Sequence, residues 1–162
     1  MSKRVSVMFV CLGNICRSPM AEGLFLDKVK KAGLETRIEV ASSGTSGWHQ
    51  GELPDRRMRE VASRYGVVLP SRSQQLISQD TLDYDYLIPM DGSNHVEVKR
   101  MVAETANSKA QVFKMRDFDP QAKGADVPDP YYGGDRGFEE VYEMLDRSTE
   151  ALLAFIRVEK GI

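Results

Sequence analysis

The stretch Cys11-Leu12-Gly13-Asn14-Ile15-Cys16-Arg17-Ser18-Pro19 constrains this chain more than any other. An apolar run from Val5 to Val10 leads into it and reads as a buried strand, and a helical pattern starts at Ser18 or Pro19. Strand, short Gly-containing loop and helix, in that order, aim several backbone N–H groups and a helix N-terminus at one point. That is an anion site before any side chain is considered. The amides of Leu12, Gly13, Asn14, Ile15 and Cys16 are its candidate donors, and Gly13 and Asn14 tolerate the left-handed backbone that turns amides inward. Arg17 adds a planar fork of N–H donors suited to two oxygens of a tetrahedral oxyanion. Cys11, where strand meets loop, is placed beneath the anion, in a positive field that favours the thiolate. Ser18 can donate its hydroxyl to the Cys11 sulfur. It also reads as the helix N-cap, with Pro19 at the first helical position. A thiolate, a guanidinium and a ring of amides around one phosphate-sized hole are equipped for nucleophilic phosphoryl transfer.

At 162 residues the chain is expected to form one domain, 1–162, with a real core. Charged residues make up 28% and the net charge is −2, so neither a nucleic-acid nor a membrane surface is expected. Arg56, Arg57 and Arg59 form a small basic cluster on a predicted helix and Lys99-Arg100 another, both read as solvated faces, with docking of an acidic or phosphorylated partner as the alternative. The only two cysteines, Cys11 and Cys16, share a loop that needs them reduced, which excludes a secreted disulfide scaffold. His49 and His95 stand far apart without ligand spacing, so no metal and no cofactor are expected. Met1-Ser2-Lys3-Arg4 ahead of an apolar run imitates a signal peptide. Gly13, Asn14 and Arg17 break that run early, and no small-residue cleavage motif follows. The start reads as the first core strand of a cytoplasmic protein, with no run long enough to cross a membrane.

Along the chain, Ala21, Leu24, Phe25, Val29 and Ala32 fall at helical spacing and Gly33 stops that helix. Ile38 to Ala41 is a second strand. Strand, helix and strand of these lengths imply a right-handed crossover, a parallel sheet, and a loop at the carboxyl edge where such sheets bind ligands. Ser42 to Leu53 reads as a loop carrying Trp48 and His49. Met58, Val61, Ala62 and Tyr65 form the buried stripe of a helix ended by Gly66, and Ser78 to Leu82 a turn of helix. Tyr84 to Met90 is a third strand. Asp91 or Ser93 reads as the cap of the next helix, with its stripe of Val98, Met101, Val102 and Thr105. Val112 and Phe113 lie on a fourth strand. A last helix buries Phe138, Val141, Tyr142, Leu145, Leu152 and Ile156. The expected fold is a single-domain α/β protein: an open four-stranded parallel sheet with helices on both faces and the phosphate-binding loop after its first strand.

Asp126-Val127-Pro128-Asp129-Pro130-Tyr131-Tyr132-Gly133-Gly134-Asp135 supplies what the loop lacks. Expelling a phenolate requires a proton delivered to its oxygen. Asp129, between two prolines, sits in a stiff extended backbone, and Tyr131 and Tyr132 can wall a slot for a flat ring. Burial beside those rings is expected to raise the Asp129 pKa, in opposition to the field on Cys11. Asp126 and Asp119 are rival acids without the bracing. Asp135 reads as the N-cap of the last helix.

Val10 to Pro19 resembles the phosphate-binding loop of the low-molecular-weight protein tyrosine phosphatases. The likeness continues through Ser42 to Trp48, Met90-Asp91 with Ser93-Asn94, and Asp129 to Gly133. The resemblance implies an aromatic cleft wall at Trp48, Ser42 in a hydrogen-bond network under Asn14, and Asp91 in the surround of the site. Where the family often has a His bonded to the loop Asn, this chain has Ser71. A branched apolar residue at the place of Ile15 goes with tyrosine phosphatases, and Thr there with the phosphoarginine branch.

The expected reaction is metal-free hydrolysis of phosphotyrosine, on a protein or as a small aryl phosphate, releasing inorganic phosphate. Cys11, Arg17 and Asp129 are the catalytic residues, and Leu12, Gly13, Asn14, Ile15, Cys16, Ser18, Trp48, Tyr131 and Tyr132 bind phosphate or substrate. Arsenate reductases share such a loop but need further cysteines, and a non-catalytic phosphopeptide module would not need both Cys11 and Asp129. Cys16 is a packing residue in the resting loop; on oxidation it is placed to capture Cys11 as a disulfide.

Overall fold

The apolar run at Val5 forms β1, Val5–Cys11, buried along its whole length in a computed structural model that describes residues 4–132 and 134–162. The side chains of Tyr132 and Asp135 lie outside the described residues. β1 pairs in parallel with β2 (Ile38–Gly44) on one side and β3 (Tyr86–Pro89) on the other. β4 (Gln111–Val112) extends β3, giving the order β2-β1-β3-β4. A strand covered on both faces must be apolar at successive positions, and its alternate residues then enter two different cores. Val5, Val7, Phe9 and Cys11 join the larger core, with α1 (Arg17–Lys31), α2 (Arg56–Arg64) and α5 (Gly134–Lys160). Met8 and Val10 join the smaller one, closed by Val98 of α4 (Gly92–Glu104). α3 is the single turn Asp80–Asp83. The sheet is four-stranded and parallel with helices on both faces, as its pattern implies.

The departures lie where polar groups are satisfied inside. β2 runs on through Ser42, Ser43 and Gly44, which had read as loop. Both hydroxyls are buried, Ser42 donating to Glu22 Oε1 at 2.6 Å and Ser43 to Met8 Sδ at 3.2 Å, so polar residues cost little there. β3 is shorter than Tyr84 to Met90, because Asp85 uses its carboxylate to accept from the Ser6 amide at 2.9 Å. Phe113 lies beyond β4 and packs edge-on against Phe118 and Phe155. Tyr65 falls after the end of α2 and is half exposed, stacked on Tyr142 at 3.8 Å with its hydroxyl bonded to Glu139. That leaves Tyr142 half-buried, whereas Phe138, Val141, Leu145, Leu152 and Ile156 are buried. α5 begins at Gly134, ahead of the residue read as its cap. Among the described residues, no helix is long and apolar enough to cross a membrane.

Candidate active site

The loop between β1 and α1 is held open from outside by segments far along the chain. The Cys11 and Leu12 carbonyls accept from the amides of Thr45 and Ser46, each at 2.9 Å. The Gly13 carbonyl accepts from the Ser73 hydroxyl at 2.9 Å, and that of Ile15 from the Asp55 amide at 2.7 Å. With the carbonyls engaged outward, the amides of Leu12, Gly13, Ile15 and Cys16 have no protein acceptor among the described residues. These residues, Cys11 and Arg17 line a pocket of about 430 Å³, whose mouth is completed by Ser46, Trp48, His49, Asp129 and Tyr131.

Asn14 and Ser18 lie beneath the pocket, not on its wall. Asn14 alone in the loop takes the left-handed backbone, at φ 56°, and this turns its amide onto Cys11 Sγ at 3.2 Å. That amide is therefore committed to the sulfur, not to an anion. Gly13 keeps an ordinary backbone; its missing side chain admits the His49 ring, whose Cδ2 would stand 3.0 Å from a Cβ. The buried Asn14 side chain donates to Ser18 Oγ at 2.7 Å and Ser42 Oγ at 3.0 Å, and accepts from the Gln74 amide at 2.9 Å. Ser71 joins this network indirectly, donating to Glu22 Oε2 at 2.7 Å while Ser42 donates to the other oxygen. Burial pushes the Glu22 carboxyl up, against the two hydroxyls. A short hydroxyl thus reaches Asn14 through a carboxyl and a second hydroxyl.

Ser18 does not cap α1. Cys16 holds the N-cap position without a side-chain bond, and Ser18 lies inside the helix, fully buried, with Oγ 3.0 Å from Cys11 Sγ. Accepting from Asn14, its hydroxyl can donate to the sulfur or to the Ser43 carbonyl at 3.3 Å.

Arg17 is buried and fixed on one edge. Its Nη1 donates to Asp91 Oδ2 at 2.7 Å and to the Val127 carbonyl at 3.0 Å, while Nη2 lies 3.7 Å from Asp129 Oδ2. Burial works against its charge, but Cys11, Asp91 and Asp129 outweigh that and hold its pKa above the ordinary value. Asp91 turns out to do both jobs open to it, since its other oxygen caps α4 by accepting from the Asn94 amide at 2.8 Å. Burial, with Asp55, Cys11 and Asp129 adding to it and Arg17 opposing, raises the Cys16 pKa, so this thiol stays neutral. Both cysteines are free and buried.

Asp129 is exposed, contrary to the burial expected of it, because it stands at the pocket rim with Pro128 and Tyr131, themselves exposed. The extended backbone also ends there. Asp129 Oδ1 accepts from the Tyr131 amide at 3.0 Å and opens a tight turn, Pro130–Tyr132. The Tyr131 ring is steadied from α2: the Arg57 guanidinium, paired with Asp55, lies 5.3 Å from its centroid and 4.5 Å from that of Phe138. Trp48, 92% exposed, forms a lip at the mouth rather than a packed wall. The rival acids are spoken for. Asp119, despite burial, is carried down to about 2 by Arg147, the Gln121 amide and Arg116, and Asp126 is lowered by Lys114. No group of three or more His, Cys, Asp or Glu among the described residues is arranged to hold a metal.

Sequence reasoning missed Glu22, Ser73, Gln74 and Gly44, which support the loop from below. Gly44 pairs with Cys11 across β1 and β2, and a Cβ on it would sit 2.7 Å from the Leu12 carbonyl oxygen and 3.1 Å from the Asn14 amide. Only its place directly after the buried serines hinted at this.

Residues 6–161 match the family model described as low molecular weight phosphotyrosine protein phosphatase. The chain is 42% identical over 153 residues to a low molecular weight protein-tyrosine-phosphatase of Streptomyces coelicolor, covering 93% of each. Its fold superposes on the crystal structure of YfkJ from Bacillus subtilis with a TM-score of 0.89, at 41% identity and 98% coverage of both chains. DARP, a Drosophila arginine phosphatase, gives a TM-score of 0.88 at 30% identity, covering 93% of this chain and 97% of that one. With the loop, the buried arginine and the rim carboxyl in one pocket, these matches show that the chain belongs to the low molecular weight phosphotyrosine protein phosphatase family.

Proposed function

We propose that the chain, as one catalytic unit, hydrolyses phosphotyrosine on peptides or as small aryl phosphates by two in-line steps at Cys11. The observation that carries this is a buried sulfur beneath four loop amides without a protein acceptor among the described residues, with a fixed guanidinium beside it. Ser18 and the Asn14 amide hold that sulfur from below, at 3.0 and 3.2 Å. The Cys11 sulfur forms a bond to phosphorus as the bond from phosphorus to the phenolic oxygen breaks. The loop amides and Arg17 hold the three equatorial oxygens. Asp129 gives its proton to the departing oxygen, leaving phosphocysteine. As a carboxylate it then takes a proton from water, whose oxygen attacks phosphorus and returns the thiolate and inorganic phosphate. A pair of thiols that must stay reduced suits a cytoplasmic setting.

Asp129→Ala is expected to lower kcat by about 10²–10³-fold on an unactivated phenol, the range of a lost general acid. The loss on nitrophenyl phosphate, whose leaving group needs no proton, should be much smaller. Equal losses on both would remove Asp129 as the acid. Phosphotyrosine, phosphoserine and phosphoarginine compared side by side, with chelator present, should show phosphotyrosine turned over fastest. The likeness to an arginine phosphatase keeps phosphoarginine as the second reading, and Ile15 weighs against it. Gly44→Ala should displace the loop backbone and cost about 10²-fold in kcat/KM, as a misplacement of about 1 Å does. Cooperative melting with activity within twofold of the parent would show the loop indifferent to that contact.

A further inference from the structure

The basic cluster on α2 does not face bulk solvent uniformly. Arg57 turns to Asp55 and the Tyr131 ring, whereas Arg56 and Arg59 line a second cleft of about 590 Å³, joined by Arg72 from another segment. This cleft shares Ile15, His49 and Tyr131 with the active-site pocket, so the two adjoin. Arg59 donates from Nε to the Pro54 carbonyl at 2.9 Å, and Arg72 from Nη1 to the Gly51 carbonyl at 3.0 Å. A backbone tether orients each guanidinium without spending its charge. Among the described residues neither makes an ion pair.

The acids lining the cleft each have a partner, Glu52 within it and Asp55 outside it. Glu52 bonds His49 Nδ1 at 2.7 Å, and Asp55 is held by Arg57 at 3.2 Å. Arg56 is paired with Glu60 at 2.7 Å, outside the cleft lining. Two oriented and unneutralised forks beside a phosphate pocket match the planar geometry of a carboxylate or a second phosphate.

We propose that Arg59 and Arg72 form a subsite for a second anionic group on the same peptide, so that the enzyme prefers phosphotyrosine flanked by acidic or phosphorylated residues. This rests on the phosphotyrosine reading above. Both arginines are exposed, so the gain is that of solvated charge pairs.

The test is the ratio of kcat/KM for a phosphotyrosine peptide with glutamates on both flanks to that for its alanine-flanked counterpart. A ratio cancels any general loss of activity in a variant. The parent should give about three to ten at low salt, falling as salt screens the pairs. Arg59→Ala with Arg72→Ala should bring it near one, and Arg59→Glu with Arg72→Glu below one. Lys99→Ala, a charge removed elsewhere, should leave the ratio at its parent value. A parent ratio of one, or the parent preference surviving in both double variants, would overturn the subsite while leaving the phosphatase reading intact. Failure to turn over either peptide would overturn that reading, and the subsite with it.

Discussion

Cys11→Ser is expected to lose turnover of nitrophenyl phosphate by on the order of 10⁵-fold or more, while still binding inorganic phosphate. The two halves of this result come from different parts of the site. Binding rests on the amides of Leu12, Gly13, Ile15 and Cys16 and on Arg17, none of which the substitution touches. Chemistry rests on the Cys11 sulfur, held by Ser18 at 3.0 Å and by the Asn14 amide at 3.2 Å. A serine oxygen in that position keeps its proton and is a poor nucleophile. Trp48, the only tryptophan, stands at the pocket mouth, so its fluorescence can follow phosphate titration. A variant that kept turnover within tenfold of the parent would remove Cys11 as the nucleophile. One that lost phosphate binding as well would show that the sulfur holds the loop open.

Arg17→Lys comes next, with an expected loss of about 10³–10⁴-fold in kcat/KM, the scale on which a phosphoryl-transfer arginine acts. Lysine preserves the positive charge beside Asp91, so the half-buried carboxylate keeps a partner and the fold should melt within a few degrees of the parent. What lysine cannot do is face two ways. Arg17 spends Nη1 on Asp91 and the Val127 carbonyl, yet it still lines the pocket, with Nη2 3.7 Å from Asp129 at the rim. A single ammonium that satisfies Asp91 has no second rigid edge for two phosphoryl oxygens. Kinetics and thermal melting on the same sample check both statements. A fully active lysine variant would mean that charge alone, without the fork, suffices.

The parts of this molecule that could be read directly from sequence are those where pattern and chemistry coincide. Val5 to Val10 is apolar at every position but Ser6 because both faces of β1 are covered. Cys11 and Arg17 announced themselves by residue type at a strand-to-helix loop. The helix stripes of α1 and α5 were legible for the same reason. Harder to read were polar residues whose partners are distant in the chain. Ser42 and Ser43 look like loop until Glu22 and Met8 are seen to satisfy them, and Ser18 looks like a cap until its oxygen is found on the Cys11 sulfur. The exposure of Asp129 was misread because prolines and tyrosines suggest enclosure, yet its carboxylate spends one oxygen on its own turn. Gly44 was invisible because a close approach of two backbones leaves no mark on composition.

The carbonyls of the Cys11 loop are tied down by residues 45, 46, 55 and 73, and Arg17 by residues 91 and 127. A chain made only as far as Ser18 therefore carries its nucleophile but none of the residues that shape the cradle around it. The guanidinium gains its second anchor only once the stretch around Val127 has been made and has docked. A cut between residues 46 and 55 would part the loop's first two anchors from its last two.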